Sequence, residues 1–298
     1  MSTDHRPLPA PEIDGVGLPS ARTTVVVATR NRREELLSTL SRHPGPVVVV
    51  DNASTDGTAE AVRRRRPDAV VHRLPKNLGA YARTVGARLA STPYVAFADD
   101  DSWWEPRSLE RAERAFDEHP RLAVIAGSIT VGESNPRPDP FNDVLAASPL
   151  PAEPDAAGPG LLGFVACGSV VRREAFLSVG GFDAVVRFPG EEARVALDLD
   201  DAGWQLAYLP QVAARHVPSP RRSDPATRAR AIERSRLLTA VLRLPLPDVA
   251  SELRRTLASG PGRRALLEAL PRVPAALAHR HVVGTRTLQR RAATAATG

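Results

Sequence analysis

The sequence predicts an α/β fold in which a mostly parallel sheet is flanked by helices and followed by a helical C-terminal extension. Apolar runs rich in β-branched residues alternate with helical patterns along the first part of the chain. Strands that alternate with helices form right-handed βαβ units, which build parallel sheets. The chain has 298 residues, 42% hydrophobic and 25% charged, which suits one large domain with an appendage and excludes a mainly disordered protein.

The first strand pattern is the run Thr24–Ala28, which has no polar alternation and therefore indicates a strand buried on both faces. Thr55 or Asp56 can cap the second helix, because short polar side chains accept hydrogen bonds from the first turn. The elements expected in this half are, in order, Thr24–Ala28, Arg33–Leu40, Val47–Val50, Glu60–Arg66, Val70–Val71, Ala80–Ala90 and Tyr94–Ala98.

The second half begins with a proline-rich segment, residues 132–160, which contains seven prolines and is expected to be a long flexible loop. After it, small and β-branched residues predict another strand, and periodic patterns predict helices. The elements expected here are Leu161–Val171 as a strand, Arg173–Val179 and Glu191–Ala202 as helices, Gln205–Leu209 as a strand, and 224–244 and 251–270 as helices in the tail.

These patterns divide the chain into three parts. Residues 1–22 are rich in proline, glycine and polar groups and are expected to be a loose leader. Residues 23–220 form the α/β domain. Residues 221–298 form an arginine-rich helical extension with 16 Arg and five acidic residues, a net charge of +11, whereas residues 1–220 carry about −5. Any polyanionic partner would therefore contact the extension.

Composition also bears on the compartment. The single cysteine, Cys167, excludes an intramolecular disulfide and a thiolate-built metal site, and it fits a reducing compartment. No apolar run is long enough to cross a bilayer, and the N-terminal residues lack the pattern of a signal peptide. We expect a cytoplasmic protein.

Polar residues follow three strands of the predicted sheet, where an α/β protein binds its ligands. They are Thr29, Arg30 and Asn31 after the first strand, Asp51 after the second, and the run Asp99–Asp101 after the fourth. Carboxylates gathered at one edge repel each other unless a cation compensates them. A divalent cation explains the pattern, with Mg²⁺ favoured by oxygen ligands and Mn²⁺ equally suitable when an imidazole joins them.

Six segments together resemble one known family. They are VATRNR (27–32), VDNASTDGT (50–58), NLGAYARTVG (77–86), FADDDS (97–102), GGFD (180–183) and GEE (190–192). In this order and spacing they resemble family 2 glycosyltransferases of the GT-A fold, a Rossmann-like α/β architecture. The resemblance covers about residues 23–217. It implies an inverting, metal-dependent enzyme that uses a nucleotide-diphosphate sugar.

The resemblance implies donor-binding roles at the first two strand ends and on the third helix. Thr29, Arg30 and Asn31 correspond to the loop that lines the base pocket, and Asp51 to the acid that hydrogen-bonds the base. Arg83 corresponds to the arginine that approaches the base and phosphates.

The acidic run corresponds to the family's DXD motif. Asp99 or Asp100 would face the ribose hydroxyls, Asp101 would ligate the cation, and His216 would lie near the cation and the leaving diphosphate. The implied cofactor is a divalent cation, Mn²⁺ or Mg²⁺.

The catalytic base is expected at the start of the helix that follows GEE. Glu192 aligns with the family's catalytic acid and is the preferred general base, with Glu191 second; the helix dipole would favour the ionised form of Glu192. Arg194 and Asp198 stand where the family usually has Asp and Arg. This exchange keeps the i, i+4 spacing, so a salt bridge of reversed order is expected.

The acceptor hydroxyl is expected on a glycan, a lipid-linked molecule or a small molecule. An apolar stripe of Leu237, Leu238, Val241 and Leu242 with surrounding arginines is compatible with peripheral membrane contact at the inner face, or with packing of the stripe on the α/β domain. Nucleic acid binding is not expected, because no aromatic residues interleave with the arginines. The alternative function is a catalytically degenerate protein that binds polyanions or acts as a scaffold through its basic tail.

Overall fold

The computed structural model describes residues 22–43, 45–151, 153, 155–219 and 224–295. Within these residues the chain forms a nine-stranded mixed sheet flanked by helices, followed by a group of C-terminal helices. The leader predicted for residues 1–22 lies outside the described residues, apart from Arg22.

The strands are β1 (Thr23–Thr29), β2 (Val47–Asp51), β3 (Val70–Arg73), β4 (Tyr94–Ala98), β5 (Ser102–Trp104), β6 (Leu122–Val131), β7 (Arg137–Pro138), β8 (Ser169–Arg172) and β9 (Gln205–His216). The helices of the α/β part are α1 (Arg33–Thr39), α2 (Thr58–Arg65), α3 (Tyr81–Leu89), α4 (Ser108–Glu118), α5 (Phe141–Ala146), α6 (Arg173–Ser178) and α7 (Glu192–Asp201). The C-terminal helices are α8 (Pro225–Arg243), α9 (Leu246–Ala258), α10 (Gly260–Ala269), α11 (Val273–Ala278) and α12 (Thr285–Ala295).

The sheet has the strand order β3-β2-β1-β4-β8-β6-β9-β5, with β7 paired to β6. The first four strands are parallel, β8 is antiparallel to both of its neighbours, β6 and β9 are parallel, and β5 is antiparallel to β9. The carboxyl ends of β1, β2 and β4 therefore meet at one edge. This edge carries the polar residues singled out from the sequence.

Both faces of the central strands β1, β2 and β4 are buried, as the uninterrupted apolar runs predicted. Val25, Val26 and Val27 on β1 have no exposed surface. Helix α3 lies close to β1 at Gly86, where an added Cβ would come within 2.3 Å of a Val26 methyl carbon. Such close packing needs glycine and fixes α3, which carries Arg83, against the sheet.

Several predicted elements need correction. Leu161–Val171 is not one strand, because Ala166–Gly168 forms a 3₁₀ turn and only Ser169–Arg172 pairs in the sheet. The proline-rich segment 132–160 contains the short strand β7 and helix α5, so it is not wholly irregular. Strand β6 was missed, and β9 runs seven residues beyond the predicted Leu209.

The tail is helical, as predicted, but its second helix is broken. The expected helix over residues 251–270 is divided between α9 and α10 at Ser259, whose side chain accepts a hydrogen bond from the backbone N–H of Gly262. The Ser-Gly-Pro-Gly sequence favours a new helix start there, since serine caps helices and proline suits the first turn.

The predicted apolar stripe of α8 is buried. Leu237, Leu238, Val241 and Leu242 pack in one cluster with Val186, which lies in the segment before α7. The stripe therefore packs inside the protein and is not available to insert into a membrane. No helix among the described residues is long and apolar enough to span a bilayer.

Candidate active site

The loop after β1 is braced against its neighbours. Thr29 Oγ1 donates a hydrogen bond of 2.9 Å to Asp100 Oδ2. Asn31 has a positive φ of 53°, and its Oδ1 accepts a 2.8 Å hydrogen bond from the backbone N–H of Thr55. Arg30 is exposed. Of these three predicted donor-binding residues, Thr29 and Asn31 thus hold the loops of the edge together, and Arg30 projects from it.

Asp51, at the end of β2, is only 1% exposed. Its Oδ1 accepts a 2.8 Å hydrogen bond from the N–H of Ser54, and its Oδ2 lies 3.7 Å from Arg73 Nε. Arg73 was not singled out from the sequence. The parallel register pairs Asp51 directly with Arg73, and that register could not be read before the strands were aligned.

The acidic run and His216 come together at the same edge. One ligand atom from each of Asp99, Asp101 and His216 lies within 4.8 Å of the other two. The antiparallel register of β5 and β9 pairs Ser102 with His216 and so brings the histidine to the aspartates. His216 Nε2 lies 3.2 Å from Asp101 Oδ1, and Asp101 Oδ2 accepts a 3.0 Å hydrogen bond from the N–H of Ser219. Burial opposes ionisation of Asp101, but these hydrogen bonds hold its pKa below the usual range.

Asp100 is not one of the three residues of this group. Besides the bond from Thr29, it lies 3.8 Å from Arg32 Nη1, and the same nitrogen lies 3.8 Å from Asp101 Oδ2. Burial and the neighbouring Asp99 carboxylate raise the pKa of Asp100 to about 7. Of the two aspartates considered for the ribose, Asp99 is therefore the one that faces the cation group, and Arg32 is a site residue that sequence reasoning left out.

The donor set of this group fits a divalent cation. It offers two carboxylates and one imidazole at a spacing that a single ion can span, and these ligands suit Mn²⁺ and, less specifically, Mg²⁺. The surrounding acids, which carry more charge than the nearby arginines, also favour a bound cation.

Arg83, on α3, links the acidic run to the glutamates at α7. Its Nη2 donates a 2.5 Å hydrogen bond to Asp99 Oδ1, and its Nη1 donates one of 3.3 Å to Glu191 Oε1. Burial disfavours the charged guanidinium, but the carboxylates of Asp99 and Glu191 outweigh it and raise the pKa of Arg83. Arg83 Nε and Glu191 Oε2 are buried and have no hydrogen-bond partner among the described residues. Unpaired buried polar atoms of this kind are costly, so they indicate a place for a polar ligand.

The two glutamates differ in exposure. Glu191 is 1% exposed, whereas Glu192, the first residue of α7, is partly exposed and accepts a 3.3 Å hydrogen bond from the N–H of Ala166. Burial raises the pKa of both carboxyls. The helix dipole was expected to favour the ionised form of Glu192, and burial acts in the opposite direction on this carboxyl.

Phe188 is an aromatic side chain of the site that the sequence did not reveal. It is 48% exposed, and the guanidinium carbons of Arg83 and Arg228 lie 5.8 and 5.9 Å from its ring centroid. Its carbonyl accepts a hydrogen bond from Arg234 on α8, and Ser235 bonds the carbonyl of the preceding residue. Helix α8 thus holds the backbone that leads into Glu191 and Glu192.

The exchanged charge pair on α7 is confirmed. Arg194 forms a salt bridge with Asp198 at i, i+4, and its Nε lies 3.2 Å from Asp183 Oδ2. Asp198 also accepts a 3.0 Å hydrogen bond from Arg243 Nη2 on α8. The reversed order is therefore part of the contact between α7 and the C-terminal helices.

Comparisons with known proteins agree with this geometry. The family model described as glycosyl transferase family 2 matches residues 24–180. An N-acetylglucosaminyl-diphospho-decaprenol L-rhamnosyltransferase of Mycobacterium tuberculosis is 29% identical, over 60% of this chain and 69% of that protein. Poly(ribitol-phosphate) β-N-acetylglucosaminyltransferase TarS of Staphylococcus aureus is 33% identical over 32% of this chain and 19% of its own length.

Two solved structures share the fold. A mannosyltransferase from Pyrobaculum calidifontis, in complex with GDP-Man and Mn²⁺, superposes with a TM-score of 0.56 at 24% identity and covers 95% of this chain and 77% of that one. TarS residues 1–349 with UDP-GlcNAc superpose with a TM-score of 0.53 at 19% identity, covering 84% of this chain and 72% of that one. The predicted GT-A fold class is thereby confirmed.

Proposed function

The chain belongs to glycosyl transferase family 2 and is a glycosyltransferase that uses nucleotide-sugar donors; from that premise we propose that it works by a single inverting displacement assisted by a divalent cation. The observation that carries the proposal is the convergence of two charge groups through one arginine. Arg83 bonds Asp99 on one side and Glu191 on the other, so the cation ligands and the glutamates lie next to each other.

Asp99, Asp101 and His216 are proposed to hold the cation, with the donor diphosphate beside them. A bound divalent cation would offset the negative charge that develops on the departing diphosphate. Arg83 adds positive charge at the same place, and its unpaired Nε is free to donate to a donor oxygen. Asp51 and Arg73, at the neighbouring strand ends, are proposed to line the base pocket with Arg30.

Glu192 is the proposed general base. An acceptor hydroxyl must lose a proton as it attacks the anomeric carbon, and a carboxylate on the face opposite the leaving group can take that proton. Glu192 is partly exposed whereas Glu191 is 1% exposed, so an acceptor can reach Glu192 more readily, and burial raises the pKa of both carboxyls. The N–H of Ala166 orients the carboxylate through its hydrogen bond.

The proposed acceptor is a lipid-linked glycan. The support is the mycobacterial relative, which is named for an acceptor that is a diphospho-decaprenol carrying N-acetylglucosamine. An enzyme with such an acceptor works at a membrane surface, and the arginine-rich extension provides a basic region for that contact. The cytoplasmic location stays a prediction that rests on the single cysteine. The degenerate, scaffold-like alternative is not favoured, because the site retains its acids and His216.

The test is a matched pair of glutamate variants. Glu192→Gln keeps the shape of the side chain but removes its basicity, so turnover should fall by about 10²-fold or more while donor affinity stays unchanged. Glu191→Gln should keep turnover within about 10-fold of the parent protein, since Glu191 acts through Arg83 in this proposal. Turnover is measured as nucleotide-diphosphate release from UDP-, GDP- and dTDP-sugars with Mn²⁺.

Two results would contradict the proposal. Loss of turnover in Glu191→Gln but not in Glu192→Gln would move the base by one residue. A product with the same anomeric configuration as the donor, observed by proton NMR, would exclude the single inverting displacement.

A further inference from the structure

An apolar stripe lies on the outer face of the C-terminal helices. Helices α10 and α11 are continuous through the 3₁₀ turn Leu270–Arg272, so residues spaced by three and four lie on one side. On this side Leu267 is 67% exposed, Leu270 53% and Leu277 56%. The exposed face of a helix in water is normally polar, so this face is the reverse of the usual pattern.

Exposed apolar side chains are concentrated in this part of the protein. Among the described residues, ten large hydrophobic side chains are exposed, and six of them lie between residues 246 and 282. Single exposed leucines are common, but six in one segment of the chain indicate an interaction surface. The group differs from the α8 stripe of Leu237 and its neighbours, which is buried.

A basic cavity opens at one end of the stripe. It has a volume of about 410 Å³, and its lining consists of Ala226, Arg230, Gly260, Pro261, Arg263 and Arg264. No acidic residue is part of the lining, and the nearest ion pair of these arginines joins Arg230 Nε to Glu268 Oε1 at 3.7 Å. Arg263 lies one helical turn before Leu267, so the cavity and the stripe share one surface. Helix α10 begins at Gly260, which adds the positive end of its dipole to the three guanidinium groups.

We propose that this surface docks on an anionic lipid bilayer, with a lipid phosphate in the arginine cavity and Leu267, Leu270 and Leu277 at the boundary of the acyl chains. Arginine suits this position, because its fork of donors matches phosphate oxygens. The apolar stripe next to it supplies the hydrophobic part of an interfacial helix. The proposal rests on the lipid-linked acceptor proposed above and adds the residues that would bring the enzyme to it.

Charge complementarity favours a bilayer over a second copy of the chain. Residues 221–298 carry a net charge of +11, so two such faces brought together would repel each other. An anionic bilayer supplies the opposite charge over the whole surface, and it accepts exposed leucines without a matching protein groove.

The experiment is flotation of the full-length protein with phosphatidylcholine vesicles, with and without phosphatidylglycerol. The parent protein should bind only the anionic vesicles, and high salt should weaken the binding. Arg263→Gln with Arg264→Gln should lower the partition coefficient by about 10-fold or more and reduce its salt dependence. Leu267→Ser with Leu270→Ser should lower it by about 10-fold and leave the salt dependence in place.

Matched controls lie outside the C-terminal helices. Arg64→Gln with Arg65→Gln removes two adjacent exposed arginines of α2, and Val144→Ser removes a side chain that is 63% exposed. Both controls should bind vesicles as the parent protein does. Since all of these side chains are exposed, the variants should fold, which thermal unfolding verifies.

Three outcomes would overturn the docking proposal. They are equal flotation of the parent and both surface variants, a concentration-dependent dimer in sedimentation that Leu267→Ser abolishes, and binding of inorganic diphosphate to the cavity without binding of vesicles. Donor turnover in detergent solution separates this proposal from the proposed function. If turnover persists while vesicle binding is absent, the docking surface is wrong and the glycosyltransferase mechanism stands.

Discussion

Two buried charge clusters of the protein contain the same types of side chain, but they differ in how their charges balance. At the edge of the sheet, acids outnumber arginines. Between α7 and α8 the charges are matched, with two acids against two arginines. The first cluster contains Asp99, Asp100, Asp101, Glu191 and Glu192 with Arg32, Arg83 and His216, and the second contains Asp183, Asp198, Arg194 and Arg243.

The difference lies in what completes each cluster. Arg194 and Arg243 are 2% and 9% exposed, and Asp198 bonds both. Such a cluster needs no ligand, and its loss should show as instability. The edge cluster has more acids than arginines, and burial and crowding raise the pKa of Asp100 and of both glutamates. A bound cation would favour the ionised acids, so loss of this cluster should show in binding. The excess of acids, more than burial alone, identifies the functional cluster.

The largest effect is expected from the matched cluster. Asp198→Asn removes the negative charge that Arg194 and Arg243 share, and one buried guanidinium then lacks a full partner. We expect the free energy of unfolding to fall by about 3–5 kcal/mol. Urea unfolding measures this loss, and calorimetry at low temperature should give the donor affinity of the parent protein. A loss below about 1 kcal/mol would show that the matched cluster does not stabilise the contact between α7 and α8.

A smaller effect, on donor affinity more than on stability, is expected at the carboxyl edge of the sheet. Asp101→Ala should lower Mn²⁺-dependent donor affinity by about 100-fold, equivalent to about 2.7 kcal/mol. The free energy of unfolding should fall by about 1–2 kcal/mol, because loss of the bonds from Ser219 and His216 is partly offset by relief of the repulsion between neighbouring carboxylates. Calorimetry with and without EDTA checks the affinity, and Asp68→Ala, an exposed acid on the surface, is the control. Unchanged affinity would remove Asp101 from the cation site.

The smallest effect is expected at a buried side chain that carries no charge in the folded protein, in contrast to both charge clusters. His43 is 3% exposed, and burial, helped by the nearby Arg66 guanidinium, lowers its pKa to about 4. The unfolded chain binds a proton below about pH 6.5 and the folded protein does not, so stability is full above that pH and is lost towards pH 4. Between pH 7 and pH 5 this histidine should account for about 2 kcal/mol of lost stability.

His43→Leu tests this contribution. The variant should lose about 2 kcal/mol less than the parent protein between pH 7 and pH 5 in urea unfolding. Carboxylates titrate alike in both proteins and cancel in the difference. Equal losses in the two proteins would mean that His43 takes up its proton in the folded state.

The sequence predicted local structure best where each strand is buried on both faces. The runs that form β1, β2 and β4 end within a residue of their predicted limits, since an unbroken β-branched stretch leaves little choice. Strand β6 was missed because its second half, with glycine and serine, resembles a loop and leads into the proline-rich segment. Pairing with β9 stabilises it, and such pairing is invisible to local patterns.

The prediction of site residues is limited in the same way, because local patterns do not reveal which strands and helices are in contact. The strand-end acids were predicted, because the carboxyl ends of parallel strands must meet at one edge. Arg73 and Phe188 were not, since their positions depend on strand register and on contacts with α8. For Asp99 and Asp100 the sequence left both roles open, and only the turn geometry separates them.

The pairing of Ser102 with His216 determines when during synthesis this enzyme becomes able to bind its donor and cation. Strands β1 to β4 can assemble while the rest of the chain is still on the ribosome, since domains form from the N-terminus as they emerge. The cation group at the acidic run is complete only when β9 brings His216 to it. The backbone before Glu191 is held only after α8 has formed. A chain that lacks β9 and α8 lacks these contacts, so donor and cation can protect it from degradation by mass action only after both elements are made. Chains terminated before β9 gain no such protection.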